Sequence, residues 1–154
     1  MGALPYRPCV GVVLINHADQ VFVGQRADMT TPAWQMPQGG VDKGEDAQGA
    51  ALRELQEETG IGPDHVTVLS ETERWLPYDF PAGIAGRRWN GKYRGQEQKW
   101  FLMRLEADED VIDLAFKDRE FSAWRWMAPA GVLDVIVPFK RDIYARVLAE
   151  FDLI

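Results

Sequence analysis

Three glutamates and an arginine crowd into one short segment of the 154-residue chain, as Arg53, Glu54, Glu57 and Glu58. On a helix, residues three and four positions apart share a face, so the three carboxylates would project together. Like charges this close repel one another unless a positive group lies among them. Arg53 can pair with a neighbouring carboxylate, and hard oxygen ligands gathered in this way suit Mg²⁺, with Mn²⁺ as the alternative. The spacing therefore indicates metal-assisted chemistry, and the competing interpretation is an acidic helix face exposed to solvent.

A glycine-rich loop before these residues distinguishes between the two interpretations. Gly39 is followed after five residues by Glu45, seven further residues lead to Arg53, and Gly60 and Ile61 close the segment. Matches at so many fixed spacings are far more specific than a lone glycine-rich loop, and together they resemble the defining box of the Nudix hydrolase family. The resemblance implies an α+β fold, the Nudix α/β/α sandwich with a mixed sheet and a loop–helix–loop box.

The activity implied by this resemblance is magnesium-dependent hydrolysis of a nucleoside diphosphate linked to another group. The catalytic set would be Arg53, Glu54, Glu57 and Glu58, and the three glutamates would bind the metal with the Gly39 carbonyl as a further ligand. Metal ions neutralise and orient phosphates and lower the pKa of a bound water, and a glutamate then removes its proton. Family members differ in which carboxylate acts as base, so that role stays open.

Segments outside the box indicate which members of the family the chain resembles most. They are Tyr6-Arg7-Pro8 and residues 34–40, 95–101, 120–126 and 139–142. Together they are similar to the bacterial RNA 5′-pyrophosphohydrolases, which overlap with the dinucleoside polyphosphate hydrolases. Such enzymes remove pyrophosphate from triphosphorylated RNA 5′ ends or split diadenosine tetraphosphate asymmetrically. The expected substrate is therefore 5′-triphosphorylated RNA, with a dinucleoside polyphosphate as the alternative.

The same resemblance implies roles for single residues outside the box. Glu120 would be a further metal ligand or the general base, and Arg7, Arg26 and Lys99 would contact phosphates. Tyr78 matches a tyrosine of the dinucleoside polyphosphate hydrolases, although the RNA-directed relatives also carry it.

Side-chain chemistry supports some of these substrate contacts independently. Arg26 ends a predicted strand beside the box, where a fixed guanidinium could clamp a phosphate or stack on a base. Phe139 beside Lys140 offers a stacking face with a cation, the combination that single-stranded nucleic acids use. Packing in the core is the alternative for Phe139. Glu97 departs from the basic residue common in the relatives, and a carboxylate there would disfavour a long RNA backbone.

Composition and charge restrict the classes of protein to which the chain can belong. Its 154 residues, 46% of them hydrophobic, suit one domain over residues 1–154. Although the net charge is −7, basic residues gather at Arg87, Arg88, Lys92, Arg94 and Lys99. Because local charge decides a site, this segregation predicts a phosphate-binding rim, and a solvated basic loop is the alternative. No DNA partner is expected.

Cysteine usage and hydropathy predict the compartment. Cys9 is the only cysteine, which excludes an intramolecular disulfide and a cysteine-based zinc cluster. No apolar stretch approaches the roughly 18 residues of a membrane-spanning helix, and residues 1–7 lack the pattern of a secretory signal. A reduced, cytoplasmic location without a membrane partner is therefore expected.

The predicted helices, loops and strands must position the candidate site residues. Residues 46–59 form the clearest helix, with Asp46 as its N-cap and Gly60 as its C-cap. A closing helix is predicted within residues 135–151. Loops are predicted over residues 38–45 and 76–95, the second long enough to be functional. Strands are predicted over residues 9–15, 20–25, 66–72, 99–105 and 121–127, the first two as a pair.

Two rival functions compete with hydrolysis of RNA 5′ ends. A non-catalytic Nudix module would bind a nucleotide without cleaving it, but such domains tend to lose ligand carboxylates, and Glu54, Glu57 and Glu58 are all present. A hydrolase that cleanses the nucleoside triphosphate pool would not explain the matches outside the box.

Overall fold

Alternating apolar residues in the first strand divide the core between the two faces of one sheet. The computed structural model describes residues 4–79, 92–117 and 119–154, and only the backbone of Phe139. Strand β1 (Tyr6–Ile15) directs Val13 and Ile15 to one apolar cluster and Val12 and Leu14 to another. Side chains of a strand alternate between faces with a period of two, so one strand contributes to both clusters.

Within the described residues, eight strands form a mixed sheet. The strands after β1 are β2 (Val21–Arg26), β3 (Trp34–Gln35), β4 (Gln38–Gly40), β5 (Val66–Glu71), β6 (Leu76–Asp79), β7 (Gly95–Leu105) and β8 (Phe121–Met127). The order β3-β2-β1-β7-β5 crosses the sheet, while β4 pairs with β1, β6 with β7 and β8 with β2. β1 and β7 run parallel from Tyr6 to Ile15, and the other described pairs are antiparallel.

Helices cover both faces of this sheet. They are α1 (Ala47–Thr59), α2 (Pro129–Val135) and α3 (Arg141–Glu150), with short 3₁₀ helices at Pro63–His65, Glu109–Val111 and Pro138–Lys140. α1 packs Ala51 and Leu55 on one face, and α3 packs Tyr144 and Leu148 on the other. The α+β sandwich predicted from the sequence is confirmed.

Most predicted strands, the first helix and the closing helix are confirmed within a few residues, but two predictions need correction. Residues 38–45 are not a loop throughout, because Gln38–Gly40 pairs with β1. Residues 76–95 include β6, which pairs with β7. Short elements such as these depend on partners distant in sequence, which local patterns do not reveal. The closing helix predicted within residues 135–151 is α3, and α2 precedes it.

Part of the predicted basic rim lies outside the described residues. Arg87 and Arg88 fall within residues 80–91, whereas Arg94 is described and pairs with Asp79 at 2.8 Å. Cys9 is buried in β1. No helix in the described ranges is long and apolar enough to cross a membrane.

Candidate active site

Caps at both ends of α1 fix the register in which it presents its glutamates. The Asp46 carboxylate accepts the Gly49 N–H at 2.9 Å. Gly60 adopts a left-handed φ of 76° while its N–H donates to the Gln56 carbonyl. A Cβ is strained in that region, which is why glycine suits this position. Both predicted caps are confirmed.

Arg53 connects the loop before α1 to the carboxylates on it. Its Nε and Nη2 donate to the two Glu45 oxygens at 2.8 and 3.0 Å, and Nη2 also donates to the Gly40 carbonyl at 2.8 Å. Its Nη1 donates to Glu54 at 2.8 Å and to Glu57 at 3.1 Å. The planar guanidinium therefore orients three glutamates and tethers the loop to the helix.

Glu58 is the buried member of the carboxylate cluster. It is 4% exposed, and one of its oxygens accepts the Gln38 N–H at 3.1 Å. Burial, followed by the charges of Glu54 and Glu120, raises the pKa of Glu58 well above its usual range. A buried carboxylate among like charges is costly to ionise unless a cation neutralises it.

Glu54 lies against the backbone of Gly39. A Cβ at Gly39 would fall 2.1 Å from Glu54 Cδ, so only glycine leaves this carboxylate where it is. Burial raises the pKa of Glu54, and the hydrogen bond from Arg53 opposes that rise. Gly39, whose carbonyl is a predicted metal ligand, is thus in contact with Glu54, a predicted carboxylate ligand.

Glu57 faces a second cation, Lys117. Lys117 Nζ donates to Glu57 Oε1 at 2.7 Å, while Arg53 donates to Oε2. The Lys117 hydrogen bond is the largest cause that holds the pKa of Glu57 below its usual range, and Arg53 adds to it. Glu57 is therefore ionised and bound to protein cations on both oxygens.

The donor chemistry of this cluster fits a hard divalent cation. Carboxylate oxygens predominate, and the repulsion that raises the pKa of Glu58 is what a bound Mg²⁺ or Mn²⁺ would relieve. As placed, Glu54 and Glu57 turn toward Arg53. Within the described ranges no three acidic, His or Cys side chains form a group that could hold an ion. Metal binding by Glu54, Glu57 and Glu58 thus stays a prediction that requires side-chain rotation.

Glu120 approaches the cluster from a separate part of the chain. It directly precedes β8, and its carbonyl accepts the Ala27 N–H at 2.9 Å. Its side chain is exposed, and its charge contributes to the raised pKa of Glu58. The fold brings Glu120 to the box, and its role as ligand or base stays a prediction.

Arg26 lines a cavity of about 140 Å³, and the N–H of the next residue, Ala27, donates to the Glu120 carbonyl at 2.9 Å. The wall of this cavity combines apolar side chains with two cationic ones: Arg26, Met29, Ala33, Trp34, Gln35, Ile136, Val137 and Lys140. Arg125 lies over the Trp34 ring, with its guanidinium carbon 4.3 Å from the ring centroid, which supports that wall. An apolar cavity with a few charges suits an aromatic base attached to an anion.

Two predicted substrate contacts, Arg26 and Lys140, meet at this cavity. The Arg26 guanidinium pairs with both Asp28 oxygens, at 2.6 and 3.0 Å, and Lys140 Nζ lies 3.5 Å from Gln35 Oε1. Phe139 belongs to the 3₁₀ helix Pro138–Lys140, and its side chain lies outside the described atoms. Its stacking role and its core alternative both stay predictions.

The other predicted substrate contacts, Arg7, Tyr78 and Lys99, are not among the residues that line this cavity. The Arg7 guanidinium lies against Gly40 in the box, where a Cβ would fall 2.2 Å from Nη2. Tyr78 packs against the apolar cluster under α3. Lys99 Nζ lies 3.4 Å from Glu71 Oε2 on β5, away from the cavity lining. The structure therefore brings Arg7 to the box, whereas Tyr78 and Lys99 lie in other surroundings.

Sequence reasoning singles out neither Lys117 nor Trp34, although both belong to this site. Lys117 is 60 residues from Glu57 in the chain, and no specific spacing marks it. Trp34 lies in residues 34–37, where Pro37 favours extended backbone at the preceding Met36, and nothing in this pattern marks Trp34 as part of a cavity wall.

Comparison with known proteins places these residues in a family context. The family model described as NUDIX domain matches residues 5–147. The RNA pyrophosphohydrolase of Roseobacter denitrificans is 58% identical over 149 residues, which are 97% of this chain and 93% of the relative. The RNA pyrophosphohydrolase of Dinoroseobacter shibae is 56% identical over 151 residues, 98% of this chain and 94% of the relative.

Two solved structures share the fold at lower identity. The dihydroneopterin triphosphate pyrophosphohydrolase of E. coli superposes with a TM-score of 0.72 at 23% identity, over 92% of this chain and 96% of that one. The Ap4A hydrolase of C. elegans, in a binary complex, gives 0.66 at 19% identity, over 94% and 98%. At such identities the likeness concerns the fold alone.

Proposed function

The chain belongs to the NUDIX family and is a pyrophosphohydrolase that acts on phosphorus-containing anhydrides, and we propose that it removes pyrophosphate from the 5′-triphosphate end of RNA. The observation that carries this proposal is the largely apolar cavity that Arg26 and Lys140 both line. An apolar wall with two cations fits the base and phosphate beyond the cleavage point. The name of the two relatives, RNA pyrophosphohydrolase, supports the same substrate.

The carboxylate cluster would hold the metal ion. Glu54, Glu57 and Glu58 would ligate Mg²⁺ or Mn²⁺, with the Gly39 carbonyl as a further oxygen donor. When bound, such an ion neutralises phosphate charge and lowers the pKa of a coordinated water.

The protein's own residues position the reacting groups. Arg53 holds Glu54 at 2.8 Å and keeps its carboxylate oriented toward the box. Arg7, against the box loop, would contact a phosphate oxygen. Glu120, exposed and near Glu58, would accept the proton of the attacking water. Water adds to phosphorus as the bridging P–O bond breaks, which yields RNA 5′-monophosphate and pyrophosphate.

A dinucleoside polyphosphate is the second candidate substrate, because it also presents a polyphosphate followed by a base. The position of Glu97 favours this second substrate. In the β1–β7 register Glu97 stands opposite Pro8, the residue that follows Arg7. A carboxylate there would repel a long RNA backbone more than a dinucleotide.

One assay distinguishes the two substrates. The purified protein with Mg²⁺ is offered triphosphate-ended RNA and diadenosine tetraphosphate in parallel, and the products are resolved. We expect the higher kcat/KM with RNA, and pyrophosphate as a product. A higher kcat/KM with diadenosine tetraphosphate would support the alternative, and binding without turnover of either would indicate a non-catalytic module.

Glu120→Gln is expected to lower kcat at least about tenfold with a smaller change in KM, because a ligand or base contributes mainly in the transition state. Steady-state kinetics with triphosphate-ended RNA measures both parameters. An unchanged kcat would make Glu120 a surface residue without a part in the reaction.

Phe139→Ala is expected to lower kcat/KM for RNA by roughly 5- to 160-fold, since a base–aromatic stack contributes about 1–3 kcal/mol. A nucleoside triphosphate, which lacks the second base, should be cleaved almost as before. If Phe139 instead belongs to the core, the variant melts earlier and loses activity equally on both substrates. Kinetics on the two substrates with a melting curve decides between these roles.

A further inference from the structure

A row of side-chain hydrogen bonds runs along one face of β7, from the core toward the residue at which the strand begins. Trp100 Nε1 donates to Gln98 Oε1 at 2.8 Å, and Gln98 Nε2 donates to Gln96 Oε1 at 2.8 Å. Residues two positions apart in a strand share a face, so the three side chains follow one another. Trp100 and Gln98 are 0% and 4% exposed, whereas Gln96 is partly exposed.

The indole at the inner end sets the direction of the whole row. An indole nitrogen can only donate, so the Gln98 atom that faces Trp100 must be the carbonyl oxygen. The NH₂ group of Gln98 then faces Gln96, whose carbonyl oxygen must accept from it. Thr72 holds Trp100 in place, because its Oγ1 accepts the Trp100 N–H at 3.0 Å and its own N–H donates to the Trp100 carbonyl at 2.8 Å. A reversed amide at either glutamine would set two donors against each other in a buried place, which is costly.

The outer end of the row is an oriented NH₂ group beside Arg7. The carbonyl oxygen of Gln96 is turned to the core, so its Nε2 is the part of the amide that is turned away from it. In the β1–β7 register Gln96 stands opposite Arg7. Partners in this register share a face, since a Cβ at Gly11 would fall 2.5 Å from the ring of Trp100, its partner. The Arg7 guanidinium in turn lies against Gly40 of the box.

We propose that Gln96 contacts a substrate phosphate through Nε2, and that Gln98 is the positioning residue that keeps this donor turned outward. This rests on the proposed function, in which Arg7 contacts a phosphate at the box. An NH₂ group next to a guanidinium suits an anion with several acceptor oxygens. The opposite orientation of Gln96 would set its carbonyl oxygen against the phosphate, so the direction imposed by Trp100 decides whether this position attracts or repels the substrate.

Gln96→Leu tests the contact, because leucine has no N–H to donate. We expect KM to rise at least about tenfold for the substrate that the wild type cleaves, with a smaller change in kcat, since a hydrogen bond to a charged oxygen is lost. Gln20→Leu is the matched control. Gln20 is exposed just before β2, its Oε1 likewise accepts one side-chain N–H, from Asn16 at 3.0 Å, and the variant should keep the wild-type KM. Equal KM in Gln96→Leu and the wild type would overturn the contact.

Gln98→Met tests the positioning role. Methionine keeps the shape of the side chain without its amide, so Gln96 is no longer held in one orientation. We expect KM to rise at least about threefold, because a smaller fraction of the molecules presents the donor. The double variant with Gln96→Leu should have the KM of Gln96→Leu alone, since Gln98 acts through Gln96. A lower melting temperature with an unchanged KM would make Gln98 a structural residue and overturn its positioning role, and so would a further rise in the double variant.

Trp100→Phe provides a second test of the direction, and it decides the matter if Gln98→Met does not fold. Phenylalanine keeps an aromatic ring in the core but removes the N–H that orients both amides. Each amide can then take either orientation, and we expect KM to rise about twofold. An unchanged KM would overturn the role of Trp100. If the wild type cleaves neither triphosphate-ended RNA nor diadenosine tetraphosphate, the proposed function fails; if it cleaves one of them and these variants match its KM, only the proposal on Gln96 and Gln98 fails.

Discussion

Glu57→Gln is expected to reduce kcat/KM for triphosphate-ended RNA at least about a hundredfold, equivalent to ~2.7 kcal/mol of transition-state stabilisation. Glutamine keeps the shape of the side chain but loses the charge that holds a cation. The substitution also weakens the pairs with Arg53 and Lys117. These contacts lie at a partly exposed position, so the free energy of unfolding should change by no more than about 1 kcal/mol.

Kinetics and a melting curve on the same preparation check this result. Glu73→Gln, at an exposed position in the β5–β6 turn, is the control for the loss of one carboxylate, and it should retain activity. A loss smaller than about tenfold in Glu57→Gln, with an unchanged melting temperature, would rule out Glu57 as an essential ligand.

Like Glu57→Gln, Gly39→Ala is expected to reduce activity strongly while it leaves the stability of the fold nearly unchanged. The new Cβ would fall 2.1 Å from Glu54 Cδ and 2.3 and 2.4 Å from its oxygens, so the carboxylate must move. Because only the end of a flexible side chain is displaced, the fold should persist. A misplacement of about 1 Å at a reacting centre can cost on the order of a hundredfold in rate, and we expect a loss of this order in kcat.

Gly62→Ala is the matched control, since its Cβ would meet Gln56 Nε2 at an ordinary 3.6 Å. Both glycines lie outside the left-handed region, so neither exchange introduces backbone strain of that kind. Full activity in Gly39→Ala would show that the Glu54 carboxylate can occupy another position without loss. A large fall in melting temperature would instead show that Gly39 is required for the β1–β4 pairing.

The box helix could be predicted from the sequence because its determinants are local. Asp46 and Gly49 are one turn apart, and the Gly60 cap reaches back only to Gln56. The spacing of Glu54, Glu57 and Arg53 likewise places them within reach of one guanidinium. Interactions over a few residues depend on helical geometry alone, so residue types and spacing determine them.

The short elements around the box could not be predicted with the same success. β4 contains two glycines and resembles a loop in sequence, and it becomes a strand only because β1 pairs with it at Cys9, Val10 and Gly11. β6 contains Pro77 and is a strand because β7 pairs with it. Whether a short segment forms a strand depends more on the strand with which it pairs than on its own residues.

Residue types and their spacing were therefore enough to predict the family, the α+β fold, the α1 helix with its caps and the candidate carboxylates. The distant residues that join them could be identified only from the packing of the folded chain. A bulge between Gln25 and Arg26 in the β2–β8 pairing sets Arg26, which lines the cavity, opposite Phe121, the residue after Glu120. The anchoring of Asp113 on Thr59 similarly places Lys117 at Glu57. Register and loop anchoring are set by packing across the whole core, so local residue patterns do not encode them.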